Sequence, residues 1–227
     1  MRKSLAAAIG HFQEQAGDGV LSRLLTDEDA AVAQAARRSV ELVRNPGTEI
    51  TASGDPSNLS EWMALLEELS AFRLTDSRLL ARLSGGGIAK SWLGEPGAAE
   101  SQITTLEQRI GRRLPPSYRS FLMASNGFLA PDTFISGLYG TESVDWFRVR
   151  HADWAHAYRD TYPHLGSCLQ VSEVGDAVIL LNPSVEANEG EWQAYFFANW
   201  IPGARAYKSF GDFMRNELEQ FCEWRNR

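Results

Sequence analysis

The chain has 227 residues, more than one ordinary domain of about 100–150, and is 44% hydrophobic and 11% aromatic, enough for a sizeable core. Its net charge of −7 argues against nucleic acid as a direct partner, because an acidic chain gains nothing from the counterion release that drives phosphate binding; a basic protein is the better match. Cys168 and Cys222 are too few for a disulfide framework or a four-cysteine zinc site, and no run of about 18 or more apolar residues reads as a membrane span.

The opening stretch MRKSLAAAIG begins like a signal peptide. Polar residues follow after about six apolar ones, short of the ~7–15 that a secretory segment needs. The expectation is a soluble, cytoplasmic protein with reduced, mostly buried thiols. Residues 4–44 are rich in helix formers. In TDEDAAVAQAARRSVELV, Thr26 or Asp27 can cap, acids fill the first turn, and Val32, Ala36, Val40 and Val43 recur at helical spacing. Asp27, Glu28 and Asp29 read as helix-start charges, since the twelve-residue calcium loop is absent. The stretch LLTDEDAAVAQAARRSVELV resembles the second half of a HEAT-type helical repeat. A single such unit needs something else to pack on.

Residues 1–45 are therefore read as a helical segment, and 46–58, rich in Gly, Pro, Ser, Thr and Asp, as a linker. Two connecting helices are predicted over 59–90. The first carries Trp62, Leu65, Leu66 and Leu69 on one face, and the second runs from about Asp76 to Leu83. The run SGGG at 84–87 lacks the Gly-Lys-Ser/Thr ending of a phosphate loop and reads as a turn.

The remainder, 91–227, opens with two short helices. Ser101 is the expected N-cap of a helix with Ile103, Leu106 and Ile110 inside, and Gly111 the left-handed stop. Leu114 re-enters the core. Pro115-Pro116 cannot continue one helix but can start the next, in which Tyr118, Phe121 and Leu122 form the apolar stripe. Asn126-Gly127 is the expected positive-φ stop.

Strands are predicted at 132–138, 168–174, 176–182 and 191–200, with Gly175-Asp176 as a hairpin turn. The strand at 191–200 is apolar on both faces and is expected to be central. A closing helix at 209–224 has Ser209 and Asp212 at its start and Phe210, Phe213, Met214, Leu218, Phe221 and Cys222 as its stripe. The order helices, antiparallel meander, helix gives an α+β fold.

The segment ITTLEQRIGRRLPPSYRSFLMASNGF resembles the signature of the SUKH superfamily: the pair Leu106-Glu107, Gly111 with Leu114-Pro115, Tyr118 and Phe121, then Asn126-Gly127. The later elements Asn182-Pro183, Trp192 and Ser209-Phe210 recur in that family in the same order. The resemblance implies a mixed or mostly antiparallel sheet flanked by helices that acts as a binding module rather than an enzyme. Many bacterial members neutralise a cognate toxin, often a nuclease or deaminase. Eukaryotic relatives regulate signalling or the cell wall through protein partners. No cofactor is implied.

The residues themselves supply no catalytic constellation. The motifs G-x-S-x-G, H-E-x-x-H and C-x-x-C are absent. His151, Asp153 and His156 are misphased for one helix face, so no metal site is assigned. Cys168 lies four residues after His164, yet at the start of an apolar strand, where a structural thiol is expected.

Charge is more informative. From Asp160 to Ala204 there is no Lys or Arg, and six acids: Asp160, Glu173, Asp176, Glu186, Glu189 and Glu191. Gathered at one sheet edge they would steer a basic partner, such as a toxin's phosphate-binding groove, onto that edge. Asp145, Trp146 and Trp200 complete the candidate partner-binding set. Trp146, Trp154 and Trp200 flank the acidic span, and two of the three are assigned to the core. Charge reversal at 186, 189 and 191 is expected to leave stability nearly intact. Neither a direct nucleic-acid nor a membrane role is expected.

Overall fold

The structure, a computed structural model, describes residues 56, 58–84, 92–160, 162–186, 190–198 and 204–225. The expected N-terminal helical segment and nearly all of the linker lie outside these residues, as do Glu189 and Trp200.

Helix α1 (Leu59–Arg73) starts where Asn58 Oδ1 accepts the Glu61 N–H at 3.0 Å. It buries Trp62, Leu65, Leu66 and Leu69, the predicted stripe. Helix α2 (Ser77–Ser84) is capped by Asp76, whose Oδ1 accepts from the Arg78 and Leu79 N–H groups at 2.9 and 3.3 Å. Helix α3 (Glu100–Ile110) begins one residue ahead of the expected cap Ser101. Ala99 takes the N-cap place, and Gln102 Oε1 accepts its N–H at 2.8 Å. Gly111, at φ 71° and ψ 18°, ends α3, a conformation that costs glycine nothing. Glu107 then reaches forward, and its Oε1 accepts the Leu114 N–H at 3.0 Å. Helix α4 (Pro116–Ala124) follows, with Pro115 as N-cap and Tyr118, Phe121 and Leu122 buried. Its end differs from expectation. Ser125 stops it in an extended conformation, and Gly127, at φ 120°, comes after the stop.

Strands β1 (Phe128–Leu129) and β2 (Gly137–Leu138) form a small antiparallel ribbon. The predicted strand at 132–138 shrinks to Gly137–Leu138 because Asp132 Oδ1 accepts the Phe134 N–H and, at 3.3 Å, the Ile135 N–H. Such a side-chain turn competes with strand pairing.

The main sheet is antiparallel throughout, in the order β3-β4-β5-β6-β7. It comprises β3 (Asp145–Trp146), β4 (Leu169–Gln170), β5 (Val178–Glu186), β6 (Trp192–Phe197) and β7 (Arg205–Tyr207). The expected strand 168–174 narrows to two residues, with Ser172 bridging to Leu138 beyond it. Strand β6 is internal, as its two apolar faces require. Two short helices, α5 (Phe147–Arg150) and α6 (Ala152–Ala157), and a 3-10 turn at Leu165–Ser167 connect β3 to β4. Helix α7 (Phe210–Arg225) closes the chain. Ser209 Oγ accepts the Asp212 N–H at 2.9 Å, and Asp212 accepts the Lys208 N–H at 3.2 Å, a reciprocal cap shifted by one residue from the usual box.

The sheet has two unequal faces. Ile179, Leu181, Ala194, Phe196 and Tyr207 point into the large core with α1, α3, α4 and α7. Val178, Leu180, Phe197 and Cys168 point the other way into a small core closed by Phe147 and Leu165. At the centre of the large core, Trp62 stacks on Phe210 at 5.9 Å and meets Phe121 edge-on at 5.7 Å, while Tyr118 meets Phe210 at 4.9 Å. All four rings are fully buried.

Phe121→Ala and Trp62→Ala are each expected to cost about 3–5 kcal/mol in urea unfolding, as large aromatic truncations in a core do. A Trp62→Ala midpoint equal to wild type would separate α1 from the cooperative unit.

Candidate functional site: an acidic turn at one end of the sheet

The described acids of the 160–204 span do not gather at one edge. Strand β5 lies between two sets of them. Asp176 precedes its first residue and Glu173 lies just before, while Glu186 is its last residue and pairs with Trp192, next to Glu191. The partner strand covers the length from Phe197 to Trp192 in five steps, so at about 3.3 Å per residue the two ends of β5 stand roughly 17 Å apart.

At the second end, Glu191 is engaged inside the fold. Its carboxylate accepts the Ser117 N–H at 2.6 Å and the Ser117 hydroxyl at 2.8 Å. Ser117 N–H is one of the orphan donors of α4, and Pro115 and Pro116 offer no capping side chain. A residue 74 positions away in sequence thus caps the elbow helix, with its negative charge at the helix's positive end. The same corner carries Pro183, inside the irregular stretch of β5 between Asn182 and Glu186, where a proline can sit in an internal strand. Asn182 Oδ1 accepts the Ser184 N–H at 3.0 Å, and its amide donates to the Tyr195 hydroxyl at 3.0 Å. Arg112 lies over the Trp192 ring at 5.6 Å and donates to Pro183 O at 3.4 Å. Asn182, Pro183 and Trp192 thus meet beside Arg112 at one corner of the sheet.

The first end is different. Glu173, Val174, Gly175 and Asp176 form the turn between β4 and β5, and all four are exposed. The backbone beneath is pinned. Glu173 N–H donates to Gly137 O at 2.8 Å, Asp176 N–H to Phe134 O at 3.2 Å, and Gly175 N–H to Ala177 O at 3.1 Å. A Cβ on Gly175 would stand 2.5 Å from Phe134 O, so only glycine fits there. Below, buried Ser172 accepts the Ile179 N–H at 2.8 Å through its hydroxyl oxygen. The turn therefore holds two carboxylates and a 38% exposed valine on a fixed frame.

Toward the β3 edge, Asp145 pairs with Gln170, and its Oδ1 accepts the Trp146 N–H at 2.7 Å. Trp146 is half-buried and packs against the large core, whereas Trp154 is 38% exposed. Fully buried Gln170 donates to Ser172 O at 2.8 Å and to the Tyr139 hydroxyl at 3.4 Å. Burial pushes the Tyr139 phenol above its ordinary value; Arg150 opposes that shift and Glu173 adds to it. Burial pulls the His151 imidazole down, Arg150 pulls it further, and the Gln170 side chain opposes them.

Cys168 Sγ donates to the backbone oxygen of His164 at 3.3 Å, and not to its ring. Burial pushes the thiol up to about 12, the wrong direction for a nucleophile. Among the described residues no three His, Cys, Asp or Glu side chains could hold a metal ion together. No described helix is long and apolar enough to cross a membrane.

An antiparallel five-stranded sheet with an elbowed helix pair and a closing helix on one face defines an α+β domain. The model of the SMI1 / KNR4 family (SUKH-1) matches residues 97–216, more than half of the chain, and the protein belongs to that family. No curated protein matches the chain. Helix α1, with Trp62 at the core centre, lies outside the matched range.

Glu191→Ala is expected to cost about 1–2 kcal/mol in urea unfolding, as loss of a helix cap does. Gly175→Ala should disturb the turn. The native Cys168 thiol should resist a thiol reagent until the protein unfolds. Its folded value is raised, so its contribution to stability is complete below the ordinary value of 9.0 and is lost as pH rises toward about 12.

Proposed function

We propose that the protein is a non-enzymatic binding module of the immunity type, which neutralises a cognate bacterial toxin, a nuclease or deaminase, by direct contact. The observation that carries this reading is the pinned acidic turn. Glu173 and Asp176 project from a frame held by the N–H groups of Glu173, Gly175 and Asp176, with exposed Val174 between them. A partner binding there has little loop ordering to offset. Two carboxylates steer a basic groove inward, and the valine gives a small apolar anchor. Family membership supports the same reading. Asp145 lies toward the β3 edge, and Glu186 serves as a secondary contact at the far end of the sheet. Of the remaining candidates, Trp146 packs against the large core and Glu191 caps α4, while Glu189 and Trp200 follow β5 and β6 in sequence.

A second reading, a regulatory or scaffold module in signalling or cell-wall control with no toxin partner, draws on residues 1–58, which precede the core helix α1 and the family match. These are long enough for a separate docking segment.

Co-expression with the toxic domain encoded beside its gene tests the first reading. The expected result is restored growth and a complex at micromolar concentration that weakens with salt. The double substitution Glu173→Lys and Asp176→Lys should slow association about tenfold or more, with unfolding free energy within about 0.5 kcal/mol of wild type. Absence of both rescue and complex would favour the regulatory reading.

A further inference from the structure

The layer over the small core has an unusual composition for this chain. From Arg148 to Asp160 there are three arginines, two histidines and two acids, Asp153 and Asp160, in a protein of net charge −7. Helix α6 buries none of its six residues, although Ala152, Trp154, Ala155 and Ala157 are apolar. A helix this short draws its stability from packing rather than from its own hydrogen bonds. Only Ala155 among its apolar residues packs against the small core from this side. Trp154 is 38% exposed, and its ring lies 6.1 Å from Phe147 and 5.6 Å from His151. Val149, in the preceding helix α5, is 62% exposed, the most open large apolar side chain among the described residues.

The charges are arranged around these two side chains in sequence. Arg148 and Arg150 flank Val149, and all three are exposed. Arg150 is held in place by the Tyr139 ring at 5.3 Å and by Ser143 O at 2.6 Å. Arg159 leans on His156 at 3.5 Å and on Asp160 at 3.6 Å, both at the surface. Arginine and tryptophan are side chains enriched at interface anchors, and this layer exposes both.

We propose that the α5–α6 layer is a second docking surface, distinct from the acidic turn, whose occupant is an acidic peptide segment of a protein partner with apolar side chains among its carboxylates. Charge complementarity selects the acid. The exposed Val149 and Trp154 select an apolar–acidic peptide over a nucleic acid, whose backbone offers no apolar contact to valine. The surface has the opposite sign to the acidic turn, and Tyr139, which lies under Arg150 and feels the Glu173 carboxylate, marks where the two adjoin.

The test is fluorescence anisotropy of the full chain with short labelled peptides that alternate Glu with Leu or Phe, beside a Lys-for-Glu set and a single-stranded DNA oligonucleotide. Saturable, salt-sensitive binding of the Glu peptides is expected. Trp154→Ala should weaken it about tenfold or more, and Arg148→Glu should weaken it in the same direction. Val149→Asp provides a third variant should Trp154→Ala unfold, and circular dichroism confirms the fold of each. Glu173→Lys and Asp176→Lys should not weaken this binding, which separates it from the toxin reading. No binding of the Glu peptides, equal binding of the Lys set, tighter binding of DNA, or affinity unmoved by all three α5–α6 variants would overturn the proposal.

Discussion

The contact on which the rest of the structure depends is the ring cluster of Trp62, Tyr118, Phe121 and Phe210. It ties α1, α4 and α7 into one layer, and that layer gives the inner face of the sheet something to bury against. Phe196 and Tyr207 extend the packing from the sheet side, Tyr207 through its contact with Phe213 at 5.3 Å. Aromatic rings bring large buried areas and a preference for offset or edge-on geometry. The helices are therefore held at defined angles, and the sheet inherits its position from them.

Around this centre the sheet divides its labour. The inner face is structural. Its opposite ends are fixed by polar devices that reach across long sequence separations: Glu191 onto the start of α4, and Gly137 and Phe134 beneath the β4–β5 turn. The outer face is covered more thinly, by a small core and two short helices. Rigid frame on one side and lightly built layer on the other is an arrangement in which binding surfaces can vary without disturbing the core.

Much of this was legible in the residues. The spacing of Trp62, Leu65, Leu66 and Leu69 marked α1, the proline pair marked the elbow, and the two-faced apolar run marked β6 as internal. The strand expected at 132–138 was not legible as a turn, because the competition comes from one carboxylate, Asp132, closing on its own backbone. The β4 reading was too long for a similar reason: its continuation serves the turn rather than a ladder. The acidic span looked uniform in sequence, but the nine residues of β5 carry its members to opposite ends. Glu191 resembled its neighbours by type and charge. Only a contact 74 residues distant distinguishes it, and local sequence holds no signal for that. The resemblance to the SUKH superfamily rested on ordered motifs whose members, Glu107, Gly111, Pro183 and Trp192, turn out to be joints of the fold.

The placement of Trp62 has a consequence for how the protein is made. Its partner Phe210 begins the last helix, so nearly all of the described chain is synthesised between the two rings. Contacts of such long range are slow to form, because loop closure is costly before it is rewarded. On the ribosome, α1 emerges early with an apolar face and no final partner. The central ring cluster can close only when the C-terminal helix has left the tunnel. Until then the nascent chain carries an open aromatic surface, and its exposure to chaperones and proteases is set by the time needed to translate the sheet.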